Sequence, residues 1–240
     1  MRKKLLPTFI LPSLMISTFW LVPSIFAHNN DTPEIAGPSS IYIPNNIDPM
    51  PDLRVTGYTS INQTSQTLLA DHHSHKRMPP ASLTKLMTLL IAYDYIDKGL
   101  IQPNENVFIS KKAWKTEGSR MFLEPESYEP VNLLLKGISV VSGNDASVAI
   151  AEHIAGNERS FVKLMNDKAK ELNLRDTHFE NSTGLPSKHH YSSPYDMSIL
   201  AMHLTKKYPQ VLTHTKEKTM VYKNIKQHNR NRLLWKDESV

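Results

Sequence analysis

The 240-residue chain has no cysteine. That excludes a disulfide scaffold, a thiol nucleophile, a cysteine zinc site and a lipid anchor on cysteine. Its eight glycines include no G-x-G spacing, so the chain has no glycine-rich phosphate cradle. It has no G-x-S-x-G elbow and no H-E-x-x-H zinc helix. Acidic residues are absent before Asp31, whereas Arg2, Lys3 and Lys4 crowd the N-terminus. Those three account for part of the formal charge of +5: without them, 25 basic residues face 23 acidic ones, a net of +2. The basic isoelectric point therefore gives little reason to expect a nucleic-acid surface. Hydrophobic residues make up 40% of the chain, enough to build a buried core.

The first 52 residues read as two segments. Residues 5–27 are uncharged and apolar and follow the basic tetrapeptide at 1–4, the layout of a secretory signal with cleavage expected after Ala27. The run is also long enough to span a bilayer, but Pro7, Pro12 and Pro23 interrupt a smooth spanning helix. Residues 28–52 carry Pro33, Pro38, Pro44, Pro49 and Pro51 and read as an extended leader. Either reading of the first segment places the remainder outside the cytoplasm, in the cell envelope or periplasm.

Residues 53–240 read as one α+β domain. Two short strands are expected over 53–70, around the polar turn Asn62-Gln63-Thr64-Ser65. A His-rich loop follows at 71–77. ASLTKLMTLLIAYDYI has the apolar content of a buried helix ending near Gly99. A short strand is expected at 107–109, helices at 130–141, 145–155 and 160–172, and a strand at 219–224. Ser193-Pro194-Tyr195-Asp196 is a helix start, with serine as cap and proline in the first turn; that helix should run to about Lys207. Strands at both ends and helices between them suggest a helical region packed on an antiparallel sheet built from the two extremes of the domain. His72, His73 and His75, the pair His189-His190, and the basic run from Lys223 to Arg232 all read as solvated surface. No metal or cofactor is called for.

Ser82-Leu83-Thr84-Lys85 opens the apolar helix and places Ser82 and Lys85 one turn apart on one face. A serine hydroxyl needs a base within hydrogen-bond reach, and a lysine becomes one when burial or a neighbouring cation lowers its pKa. S-x-x-K alone is weak and recurs at Ser160–Lys163. Its partner motif S-x-N occurs at Ser142-Gly143-Asn144 and at Ser60-Ile61-Asn62. Only Ser82/Lys85 followed by Ser142/Asn144 has the right order. In that pair Ser142 can relay a proton, and Asn144 can hold the lysine and a substrate amide.

With these motifs the sequence resembles the low-molecular-mass penicillin-binding proteins that are serine-type D-alanyl-D-alanine carboxypeptidases. The resembling stretches are PPASLTKLMT, GSRMFLEP, LLLKGISVVSGNDASVAIAEHIAG, LNLRDTHFENSTGL, YSSPYDM and HNRNRLLW. The resemblance implies the penicillin-recognising serine transpeptidase/β-lactamase-like fold. It also implies removal of the terminal D-Ala from peptidoglycan pentapeptides through an acyl-enzyme on Ser82. Lys85 would be the general base, Ser142 the second catalytic serine and Asn144 a substrate-positioning residue. The expected partners are stem peptides ending in D-Ala-D-Ala, with β-lactam antibiotics as covalent inhibitors and no nucleic acid. The family's third motif, Lys-Thr-Gly, does not occur: Lys115-Thr116-Glu117 and Lys218-Thr219-Met220 are the nearest approaches. The resemblance places it just beyond Val240, so the chain is expected to stop before its last strands, with impaired activity and without a membrane-anchoring C-terminal helix. A class A β-lactamase is disfavoured, because Ala169 stands where E-x-x-L-N would need its deacylating glutamate. A D,D-endopeptidase of the same fold and a non-catalytic penicillin-binding scaffold of the envelope are the alternatives.

Overall fold

A computed structural model of the protein describes residues 41–44 and 53–237. The signal segment and most of the proline-rich leader lie outside them. The elements in chain order are β1 (Tyr58–Asn62), β2 (Thr67–His72), a 3-10 turn (Ala81–Thr84), α1 (Lys85–Asp97), β3 (Asn106–Phe108), α2 (Lys111–Lys115), β4 (Tyr128–Pro130), α3 (Val131–Val141), α4 (Asn144–Ala155), α5 (Glu158–Glu171), α6 (Pro194–Lys207), α7 (Val211–Thr215), β5 (Thr219–Tyr222), β6 (Ile225–His228) and a second 3-10 turn (Arg232–Trp235).

α1 is apolar on nearly every side, and Met87, Leu90 and Ala92 are wholly shielded from water. A helix of that kind belongs in the middle of a domain. It is packed there, with α3, α4, α5 and α6 around it. α4 owes its close approach to small side chains: Ala146, Ser147, Ala149 and Ala151 are all buried. α5 is two-faced, with Phe161, Met165 and Ala169 at four-residue intervals on the inner side and charges outside. Its cap is Asn157, whose side chain accepts from the Ser160 amide at 2.8 Å. α6 starts as its sequence dictates, the Ser193 hydroxyl accepting from the Asp196 amide at 3.2 Å with Pro194 in the first turn.

The helices are locked by one buried ion cluster. Asp94 of α1 accepts from Lys207 (2.7 Å) and the Tyr208 hydroxyl (2.6 Å) on one oxygen and pairs with Lys168 of α5 at 2.9 Å on the other. Burial would raise this carboxyl's pKa, but the hydrogen bonds from Lys207, Tyr208 and Lys168 outweigh it and hold the group down at about 2.

The strands pair differently from the sequence expectation. Instead of one sheet drawn from the two ends of the domain, the described residues form three separate two-stranded antiparallel sheets: β1–β2, β3–β4 and β5–β6. The reason lies in what each hairpin packs on. β1 lies against α6, while β5 and β6 lie against α3, so the two outer hairpins are held on different helices. The β1–β2 turn is closed by Asn62, whose side chain accepts the amides of Thr64 (3.0 Å) and Ser65 (2.9 Å). Residues 41–44, part of the proline-rich leader, run along β2. Tyr42 donates to the Gln66 carbonyl at 2.8 Å and accepts from the Leu68 amide at 2.9 Å. That piece of the leader is paired with the domain.

Candidate active site

The turn that carries Ser82 is strained. Ala81, the residue before it, adopts φ 48°, a left-handed conformation that side chains disfavour. Ser82 and Leu83 then sit exposed on the 3-10 turn, while Thr84 and Lys85 point inward. Strain of this kind persists only where the surroundings enforce it. The enforcing contact is Gly184, at φ 86°: a Cβ there would lie 1.8 Å from the Ala81 carbonyl oxygen. Only glycine lets the two backbones approach so closely.

Lys85 is 3% exposed. Its ammonium nitrogen lies 2.7 Å from Asn144 Oδ1, 2.6 Å from the Thr183 carbonyl oxygen and 3.4 Å from Ser82 Oγ. Burial lowers its pKa from the ordinary lysine value to about 8. Asp145 opposes this shift, and the nearby positive charge of Arg230 adds to it. A neutral amine has two N–H donors and one lone pair. The two short contacts take the two donors, which leaves the lone pair for Ser82, the most distant of the three neighbours.

Ser142 and Asn144 reach this lysine through the junction of α3 and α4. Ser142 ends α3 in the left-handed conformation (φ 58°, ψ 40°), which reverses the chain within two residues. Its hydroxyl is enclosed and has no hydrogen-bond partner. Asn144 is the first residue of α4, inside the helix and not in the connecting loop. Its amide nitrogen donates to the Glu117 carbonyl at 2.5 Å, and its backbone N–H donates to the Ser119 carbonyl at 2.7 Å. Asp145 accepts the amides of Met121 (3.0 Å) and Leu123 (3.1 Å), which fixes the 116–123 segment over the junction.

Ser82, Lys85 and Ser142 line one open pocket of about 370 Å3, together with Leu86, Ile138 and Arg230. All four residues picked from the sequence, Ser82, Lys85, Ser142 and Asn144, therefore converge, from chain segments about 60 residues apart. Arg230 is exposed, as expected for its basic run, but sequence reasoning gave it no part in the site. Its guanidinium donates to Ser119 Oγ and stands at the pocket rim. It also missed the Thr183 carbonyl, which carries no side-chain signature, and Asp145. It misplaced His190: that ring is 5% exposed and bonded inside the domain, not on the surface. Spacing alone cannot find such residues. The Gly184 of NSTGL was the one visible sign of a tight approach.

The model of the Peptidase S11 family, described as D-alanyl-D-alanine carboxypeptidase, matches residues 45–240. The chain belongs to that family. D-alanyl-D-alanine carboxypeptidase DacF of Bacillus subtilis is 43% identical over 175 residues, which cover 73% of this chain and 44% of the relative. DacA of Escherichia coli K12 is 37% identical over 192 residues, covering 78% and 48%. The chain thus spans about half the length of the curated relatives it matches. The crystal structure of penicillin binding protein 5 from Haemophilus influenzae superposes with a TM-score of 0.76 at 36% identity, covering 80% of this chain and 56% of that one. The fold is that of the penicillin-binding serine peptidases, with helices packed on small antiparallel sheets.

Proposed function

We propose that this S11 protein is a serine-type D-alanyl-D-alanine carboxypeptidase that trims peptidoglycan stem peptides and is acylated by β-lactams, with Ser82 as nucleophile. The observation that carries the reading is the setting of Lys85: buried, with two short acceptors and Ser82 Oγ as its third neighbour. In the reaction Lys85 Nζ takes the Ser82 proton as Oγ attacks the carbonyl carbon of the penultimate D-Ala. A C–O bond forms, the C–N bond to the terminal D-Ala breaks, and the leaving amine needs a proton. The enclosed, unpartnered hydroxyl of Ser142, in the same pocket, suits the relay of that proton from Lys85. Water then hydrolyses the ester, with the same base accepting its proton. Asn144 keeps Lys85 aimed.

The test is release of free D-alanine from a pentapeptide ending in D-Ala-D-Ala. The chain should release it, and Ser82→Ala should abolish release. Cross-linked muropeptide dimers should stay intact. Cleavage of the dimers with no D-alanine released from the pentapeptide would identify an endopeptidase instead. No cleavage of either, with no Ser82-dependent binding of penicillin, would indicate an inert scaffold.

A further inference from the structure

Thr84 lies between the nucleophile and the base in sequence and is completely buried. It sits at the junction of the 3-10 turn and α1 in helical conformation (φ -48°, ψ -35°), where its hydroxyl could bond to a backbone group of the turn. Here it makes no such bond. The hydroxyl faces outward from the helix and meets His190 Nε2 at 2.8 Å. The other ring nitrogen, His190 Nδ1, accepts from the backbone N–H of Glu180 at 3.0 Å. A nitrogen that accepts an amide proton carries none itself, so the ring is the neutral tautomer with its proton on Nε2, donated to Thr84. Phe179 packs its edge against the ring at 5.7 Å, and burial lowers the pKa of the imidazole, which keeps it neutral.

The ring thus joins two segments that both determine the site. One is the turn that holds Ser82. The other is the strip from Glu180 to Gly184, whose Thr183 carbonyl grips Lys85 and whose Gly184 wedges Ala81. Asn181 shapes that strip by accepting the Thr183 amide (3.1 Å) and the Gly184 amide (2.7 Å). We infer that His190 is a positioning residue for the acyl transfer, a two-ended clamp that sets the distance between Ser82 and Lys85 by tying Thr84 to the backbone of Glu180. It touches no substrate. This rests on the assignment of Ser82 and Lys85 above.

The test is stopped-flow acylation by a fluorescent penicillin, read as a rate constant and a final labelled fraction. Wild type labelled at Ser82, with no labelling of Ser82→Ala, establishes the underlying assignment, and unlabelled wild type overturns both proposals together. Thr84→Val, which keeps shape and loses the hydroxyl, should slow acylation about ten- to a hundredfold, the penalty for a nucleophile displaced by a fraction of an ångström. The final labelled fraction should stay close to wild type. Thr84→Ser should restore the rate to within about threefold, as one retained hydroxyl requires. His190→Asn, which can still accept from Glu180 but cannot reach Thr84, should slow acylation as much as Thr84→Val, and the double variant should be no slower than either. Two results would overturn the clamp with the assignment intact: wild-type rates in Thr84→Val and His190→Asn, or a reduced labelled fraction at an unchanged rate, which is what a merely structural role predicts.

Discussion

A lysine serves as a base only while it is neutral, and burial brings the neutral form of Lys85 within reach of ordinary pH. With its pKa brought down to about 8, the ammonium predominates below that pH and the free amine above it. Penicillin acylation should therefore climb about tenfold per pH unit on the acid side and level off near pH 8. Lys85→Arg keeps the charge but cannot lose its proton, and should lower the rate at least about a hundredfold at every pH. A profile that is flat between pH 6 and 9 would remove Lys85 from the role. Gly184 yields a second prediction at this scale. Its substitution by alanine sets a methyl group 1.8 Å from a backbone oxygen at a position already in a left-handed conformation. Neither side can yield cheaply, so Gly184→Ala should lose more than about 2 kcal/mol of stability and most of its penicillin binding. Urea titration and labelling together would check it, and a variant of wild-type stability would show that the approach is looser than described.

Among the elements, α1, α5 and the end of α6 are tied together by the Asp94 cluster. Replacing Asp94 by asparagine removes the carboxylate shared by Lys168 and Lys207; because Lys168 keeps Glu171 and Lys207 is partly exposed, the loss should be about 1–3 kcal/mol. The carboxyl's folded pKa is below its unfolded value, so its stabilisation is complete above about pH 4 and fades as pH falls toward 2. Acid denaturation of Asp94→Asn should lack that component, and chemical denaturation at several pH values would reveal it. The five longer helices were legible in the sequence, because their signals are local: the Ser193-Pro194 start, the inner face of α5, the apolar run of α1; the short α2 and α7, five residues each, were not. Strand pairing was not legible. Nothing local in Thr219–Tyr222 says whether it will join β1 or fold back on Ile225–His228, since that choice depends on which helix lies beneath. The Asp94 cluster was equally invisible, because Lys168 and Lys207 look like ordinary surface charges on their own helices.

For the molecule as a whole, the site residues were legible where a motif carried them and hidden where the fold did. Ser82, Lys85, Ser142 and Asn144 announce themselves by type and order. His190, Arg230 and the Thr183 carbonyl acquire meaning only from neighbours about a hundred residues away. That distance along the chain has a kinetic consequence. The contact from Lys85 to Asn144 closes a segment of 59 residues, and the one to Thr183 closes 98. Helical turns form in about a microsecond from local interactions, whereas contacts of such separation wait for large loops to close. Under the proposed function, reactivity toward penicillin would then belong to the finished fold and to no intermediate on the way to it. During refolding, far-ultraviolet ellipticity should recover before the ability to be labelled, and pulses of fluorescent penicillin at successive times would count only completed molecules. Labelling that rose together with the first helical signal would mean that the three segments meet early. Otherwise the antibiotic doubles as a stopwatch for the last step of folding.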